Sequence, residues 1–91
     1  MTYNCNITQK KGKYLVQFPD VPNAITLGFT HEEALFMAGD VLNGILASHL
    51  DNGYPIDEPK YSGGYPIEVS PKVAFAIELR KARANHSQKE V

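Results

Sequence analysis

Residues 2–9 alternate in polarity. Tyr3, Cys5 and Ile7 fall on one side and Thr2, Asn4, Asn6 and Thr8 on the other, which predicts a half-buried strand. A polar turn over Gln9–Lys13, with Gly12 free to take a positive φ, leads into the β-rich run Tyr14-Leu15-Val16-Gln17-Phe18, the second arm of a hairpin. Pro19 and Pro22 cannot donate to a ladder, so residues 18–23 read as a shaped, extended loop. A third strand follows over residues 24–29. The period then changes from two to between three and four. Leu35, Ala38, Val41, Leu42, Ile45, Leu46 and His49 recur at helical spacing and predict a helix over residues 31–51. Thr30 is placed to cap it, with Glu33 three residues on as the reciprocal partner of a capping box. Asn52-Gly53 and Pro55 stop it. After a loop rich in Pro, Gly and acid over residues 54–64, Tyr65–Val69 reads as a short strand, with Pro66 marking an edge or a first residue. Ser70-Pro71 opens a second helix, with serine as cap and proline in the first turn. Val73, Ala76, Ile77 and Leu79 give that helix an apolar face, and Lys72, Arg80, Lys81 and Arg83 a basic one. Asn85-His86 is expected to break it. Ser87 and Glu90 form a second capping box, so a further helix is expected to begin at Ser87 and to continue past the end of the sequence.

Composition narrows the class. At 91 residues the chain is one small domain with a short appendage, and 43% hydrophobic with 21% charged residues excludes a disordered chain. No apolar run approaches the roughly 18 residues of a membrane helix, and no basic flank leads into an apolar core at the N-terminus. One cysteine, Cys5, leaves no internal disulfide or Cys-rich zinc site and suits a reducing cytoplasm; its position in the alternating strand makes it a small buried hydrophobe. The formal net charge of −1 conceals an asymmetry. Residues 1–71 carry four lysines against eight acids, and residues 72–91 five basic residues against two acids. An acidic body with a basic tail implies two surfaces with different partners. Small size and exposed strand edges also point to a homo-oligomer, a dimer or higher.

Candidate chemistry fails on spacing. His31 sits in a first helical turn beside Glu32 and Glu33 and reads as solvated, whereas His49 reads as a packing residue with no second ligand at metal spacing. Ser62 and Ser70 lack the glycine-flanked elbow of a nucleophile, and Gly63-Gly64 lacks the lysine and the following helix of a phosphate loop. Three strands, a helix and a fourth strand can build the core on which some nucleases hold two metal ions with several carboxylates. Such a site needs an acid on the first strand, and residues 3–8 contain none. Asp40 and Asp51 stand about three turns apart on the helix and cannot share one ion. No catalytic residue, metal or cofactor is therefore expected.

Three stretches together resemble the HicB family of antitoxins. They are Tyr14–Pro22, with its strand and Phe-Pro-Asp-Val-Pro step; Thr26-Leu27-Gly28-Phe29-Thr30 followed by Glu33-Ala34-Leu35; and Asp51–Pro59 after the helix. Their order and spacing match from about residue 3 to 69. The resemblance implies an α+β, partial RNase H-like fold: a three-stranded antiparallel meander, one long helix, a fourth short strand beside the first, then a C-terminal helix. It implies a non-catalytic protein whose partner is a HicA-type toxin, a small mRNA-cleaving RNase. An acidic body suits a basic RNA-binding surface. The expected toxin contacts are Phe18 and Asp20 in the first loop and Asp57 and Glu58 in the second. Residues 77–83 and 87–91 are similar to the opening of a Cro/repressor-type helix-turn-helix, whose recognition helix follows the helix at Ser87. Residues 1–69 are accordingly expected to form the HicB-like domain and residues 70–91 the start of a DNA-binding segment, with Arg80, Lys81, Arg83, Ser87 and Gln88 facing operator DNA in the full-length form. The alternative, a stand-alone RNA-binding domain, is disfavoured by the acidic body.

Overall fold

The computed structural model describes residues 1–90, and side chains as far as residue 84. The elements follow in the order β1 (Thr2–Lys10), β2 (Lys13–Gln17), β3 (Ile25–Gly28), α1 (His31–Asn52), β4 (Tyr65–Glu68) and α2 (Pro71–Glu90). The four strands form one antiparallel sheet in the order β3-β2-β1-β4. The protein is thus α+β, with the three-stranded meander and the fourth strand beside the first that the sequence predicts. The β1–β2 hairpin closes through Lys11 and Gly12, both at positive φ (51° and 77°), and pairs Lys10 with Lys13. Such two-residue loops match the right-handed twist of the arms.

One face of the sheet carries Tyr3, Cys5, Val16 and Ile67, and α1 lies across it with Ala34, Ala38, Leu42 and Leu46 buried. Three of the expected helix positions, Ala38, Leu42 and Leu46, are thus central, while Leu35, Val41 and Ile45 pack at the margin. Ala34 enters the stripe because β3 approaches α1 closely at Gly28. A Cβ on Gly28 would lie 2.5 Å from the Ala34 amide nitrogen, so only glycine fits there.

The capping of α1 follows the sequence. The Thr30 hydroxyl accepts from the Glu33 amide (3.0 Å), and the Glu33 carboxylate accepts from the Phe29 amide (2.9 Å), one residue earlier than the usual box. Gly53 takes the left-handed conformation (φ 69°), and the Tyr54 amide returns to the His49 carbonyl (2.9 Å).

The opposite face of the sheet is open, with Leu15 paired to Leu27 in register and Ile25 beside them, all exposed. The two sheet edges differ. β4 carries Pro66 and Glu68, whereas β3 (Ile25-Thr26-Leu27-Gly28) has neither a charge nor a proline.

Two expectations are corrected. His31 is not a solvated first-turn residue: its ring packs edge-on against Tyr14 and Tyr65, with centroids 5.8 and 4.9 Å apart. The core extends onto α2 through its expected apolar face, where Ile77 is buried and Val73 and Ala74 pack against the same cluster. α2 is one helix to Glu90, continuous through Asn85-His86 where a break is expected. Its start is as expected, with Pro71 first and the Ser70 hydroxyl accepting from the Val73 amide (3.4 Å).

Candidate partner-binding surface

The two loops expected to carry partner contacts fold against each other. Phe18 is buried, at 2% exposure, together with Val21 and Ala24; its amide donates to the Ala24 carbonyl (3.1 Å). An aromatic ring is favoured in the core by its large apolar area, so the Phe-Pro-Asp step turns Phe18 inward and it cannot meet a partner. Asp20 is a tie: its Oδ2 accepts from the Lys60 amide (2.8 Å) and the Tyr61 amide (2.7 Å), holding the second loop to the first. The Tyr3 hydroxyl donates to the Asp57 carbonyl (2.6 Å), and the Tyr61 hydroxyl to Asn6 Oδ1. Burial, and next the negative charge of Glu58, push the Tyr3 phenol above its ordinary range. The Cys5 thiol is also pushed up by burial, which keeps it protonated and inert.

Asp57 and Glu58 are exposed, as a contact role requires. Glu58 pairs with Lys81 across 2.6 Å, and this bond is the main reason the Lys81 ammonium is held above its usual range. The two loops and the end of α1 enclose a cleft of about 280 Å³ lined by Tyr3, Asp20, Leu46, His49, Tyr54 and Asp57.

The basic residues of α2 divide similarly. Arg80 turns inward: its guanidinium donates to the Tyr54 carbonyl and to the His49 carbonyl (3.5 Å) at the C-terminal end of α1. A cation there opposes the negative end of the helix dipole. With Lys81 paired to Glu58, two of the expected DNA-facing side chains act within the fold. Arg83 is exposed. The side chains of Ser87 and Gln88 lie outside the described residues.

An exposed aromatic surface also stands on α1 itself. Phe36 is 74% exposed and Phe29, just before the cap, 64%. Glu32, Phe36 and Asp40 follow one another at four-residue spacing, so they stand on one line of the helix, with Glu33 beside them. Shallow depressions flank Phe36, one lined by Thr30, Glu32 and Glu33, the other by Leu35, Asp40 and Asn43. An exposed aromatic ring rimmed by carboxylates is chemically suited to a basic partner. Sequence reasoning passed over Phe36 because it lies off the apolar stripe, although an aromatic off-stripe between acids was itself the signal.

Among the described residues no group of three His, Cys, Asp or Glu side chains could hold a metal ion, and no helix is long and apolar enough to cross a membrane. Residues 2–78 match the family model described as a HicB-like antitoxin of bacterial toxin–antitoxin systems. The chain is 33% identical over 79 residues to Antitoxin HicB 2 of Photorhabdus laumondii subsp. laumondii, covering 87% of this chain and 57% of that protein. It is 36% identical over 73 residues to Antitoxin HicB 1 of the same organism, covering 80% of this chain and 47% of that protein. The chain therefore spans about half the length of the curated relatives it matches.

Proposed function

The chain belongs to the HicB-like antitoxin family, and from that premise we propose that it neutralises a small basic toxin of the HicA type by binding it through the acidic, aromatic face of α1. The observation that carries this reading is Phe36, exposed among Glu32, Glu33 and Asp40. The body supplies the complementary charge, four lysines against eight acids over residues 1–71. Asp57 and Glu58, exposed at the far end of α1, are secondary contacts. The action is occlusion of an RNA-binding surface rather than catalysis, and its setting is the cytoplasm. In a full-length form the segment from residue 70 leads into a DNA-binding module that represses the operon, with Arg83, Ser87 and Gln88 as the residues on the DNA side.

Co-expression with the small basic protein encoded beside it tests the reading. The wild-type chain is expected to restore growth and to co-purify with that protein. Phe36→Ser should weaken the complex at least tenfold, a loss typical of an aromatic anchor. Asp57→Asn should weaken it only slightly. A neighbour that is neither bound nor neutralised would defeat the proposal, and an unaffected Phe36→Ser complex would move the interface elsewhere.

A further inference from the structure

Of the four lysines in residues 1–71, three (Lys10, Lys11 and Lys13) stand at the β1–β2 hairpin. All three are exposed, and among the described residues none belongs to an ion pair. Together with Leu15 and Leu27 they line one depression on the open face of the sheet. Ile25, at 53% exposure, continues the apolar strip. Leu27 and Ile25 belong to β3, the outermost strand in the order β3-β2-β1-β4. Edge strands usually carry a charge or a proline against pairing, and Ile25-Thr26-Leu27-Gly28 has neither. We propose that this edge docks an extended acidic segment of a second partner protein. The segment adds to β3 as a fifth, antiparallel strand, with alternate apolar side chains beside Ile25 and Leu27 and its carboxylates at the lysine end.

Strand addition draws affinity from main-chain hydrogen bonds and specificity from alternate side chains. The added strand would lie about 5 Å from β3 and about 10 Å from β2. Its apolar side chains then cover the strip that Leu15, Leu27 and Ile25 leave open. Tyr14 pairs with Gly28, so Lys13 stands one position past the end of β3. A carboxylate at that end of the added strand comes within reach of its ammonium. Charge selects the occupant. The lysine cluster repels a basic toxin. A second copy paired through its own β3 brings no carboxylate on that strand and leaves the lysines unmatched. An acidic segment matches them and covers the apolar strip at once. α1 lies across the other face of the sheet, so Phe36 stays free, and one antitoxin can hold a toxin and the acidic segment together. Four residues make a short dock, so binding is weak, with a dissociation constant on the order of 10–100 μM.

Fluorescence anisotropy of a labelled peptide, Glu-Asp-Glu-Val-Thr-Val-Thr-Val, titrated with the whole 91-residue chain tests the proposal. Saturable binding in the stated range is expected, with amide exchange slowed most at Ile25–Gly28. Combining Lys11→Glu with Lys13→Glu should weaken binding at least about tenfold. Leu27→Lys, which puts a charge on the edge, should do the same. Leu27 is 41% exposed, so the thermal midpoint of that variant should stay near that of the wild type. A peptide with proline at its central valine should lose binding, since it forfeits a ladder donor. No binding up to about 1 mM overturns the proposal. So does binding that polyglutamate matches and that neither Leu27→Lys nor the proline peptide weakens, because it is charge alone. A wild-type dimer joined through β3 that the peptide does not displace assigns the edge to a second copy and overturns it as well. A toxin that displaces the peptide, and stays bound to Phe36→Ser, places the toxin at β3 and also overturns it.

Discussion

Asp20→Ala separates a structural role from a binding role. The carboxylate of Asp20 accepts two backbone amides, Lys60 at 2.8 Å and Tyr61 at 2.7 Å, and so closes the loop of residues 54–64 onto the loop of residues 18–23. Hydrogen bonds to a charged acceptor contribute about 1.5–3 kcal/mol each when well shielded. The Lys60 amide is exposed and the Tyr61 amide only part-buried, so about 2 kcal/mol for the pair is the appropriate magnitude. For a domain of this size a loss of 1 kcal/mol lowers the melting temperature by about 4–8 °C, so the variant should melt roughly 10 °C below the wild type. Asp20→Asn keeps one side-chain oxygen as acceptor but loses the charge, and should fall about midway. Thermal unfolding followed by far-UV circular dichroism gives these numbers. Toxin affinity, measured at a temperature where both proteins are folded, should change less than about threefold, as for a residue outside the interface. Wild-type melting combined with loss of the complex would refute the reasoning and make Asp20 a contact.

Three further outcomes follow from the packing. Gly64 sits at φ 66° with the Cys5 carbonyl against the space a Cβ would fill, so Gly64→Ala should cost about 3 kcal/mol in urea unfolding. The Tyr3 phenol is raised above its ordinary value of 10.0 by burial, so its contribution is intact below about pH 10 and is lost as pH rises through the raised value. Tyr3→Phe should flatten that alkaline limb of the stability profile while lowering stability at neutral pH by about 1 kcal/mol, through loss of the bond to the Asp57 carbonyl. Arg80→Ala should reduce stability by about 1–2 kcal/mol and speed amide exchange in α2 more than in the sheet, because its bonds to the His49 and Tyr54 carbonyls fasten α2 to α1.

The elements were largely legible from sequence because their determinants are local. Alternation in residues 2–9, the Thr30–Glu33 exchange and the left-handed Gly53 each act within a few residues, and each recurs in the structure. The site was less legible because exposure depends on where a helix comes to rest. Ala34 is central only because Gly28 lets β3 approach the α1 backbone, and that rotation leaves Phe36 pointing outward. Asp20, Arg80 and Lys81 bear charge, which in one dimension suggests a partner. Their bonds reach 40, 31 and 23 residues along the chain, separations that no local pattern encodes. The continuous α2 shows the converse: Asn85-His86 and Ser87 carry break and cap preferences, but a helix already under way overrides weak signals of that kind.

The inward turn of Phe18 and Asp20 bears on how antitoxins of one cell stay distinct. A signature whose side chains are spent on closing the fold can be shared by every member of a family without carrying partner identity. Under the proposed binding mode, discrimination between cognate and non-cognate toxins falls to the residues left outside, Glu32, Phe36 and Asp40 here. On that reading, exchanging those three positions between paralogues is the smallest change that should re-address one antitoxin to another's toxin.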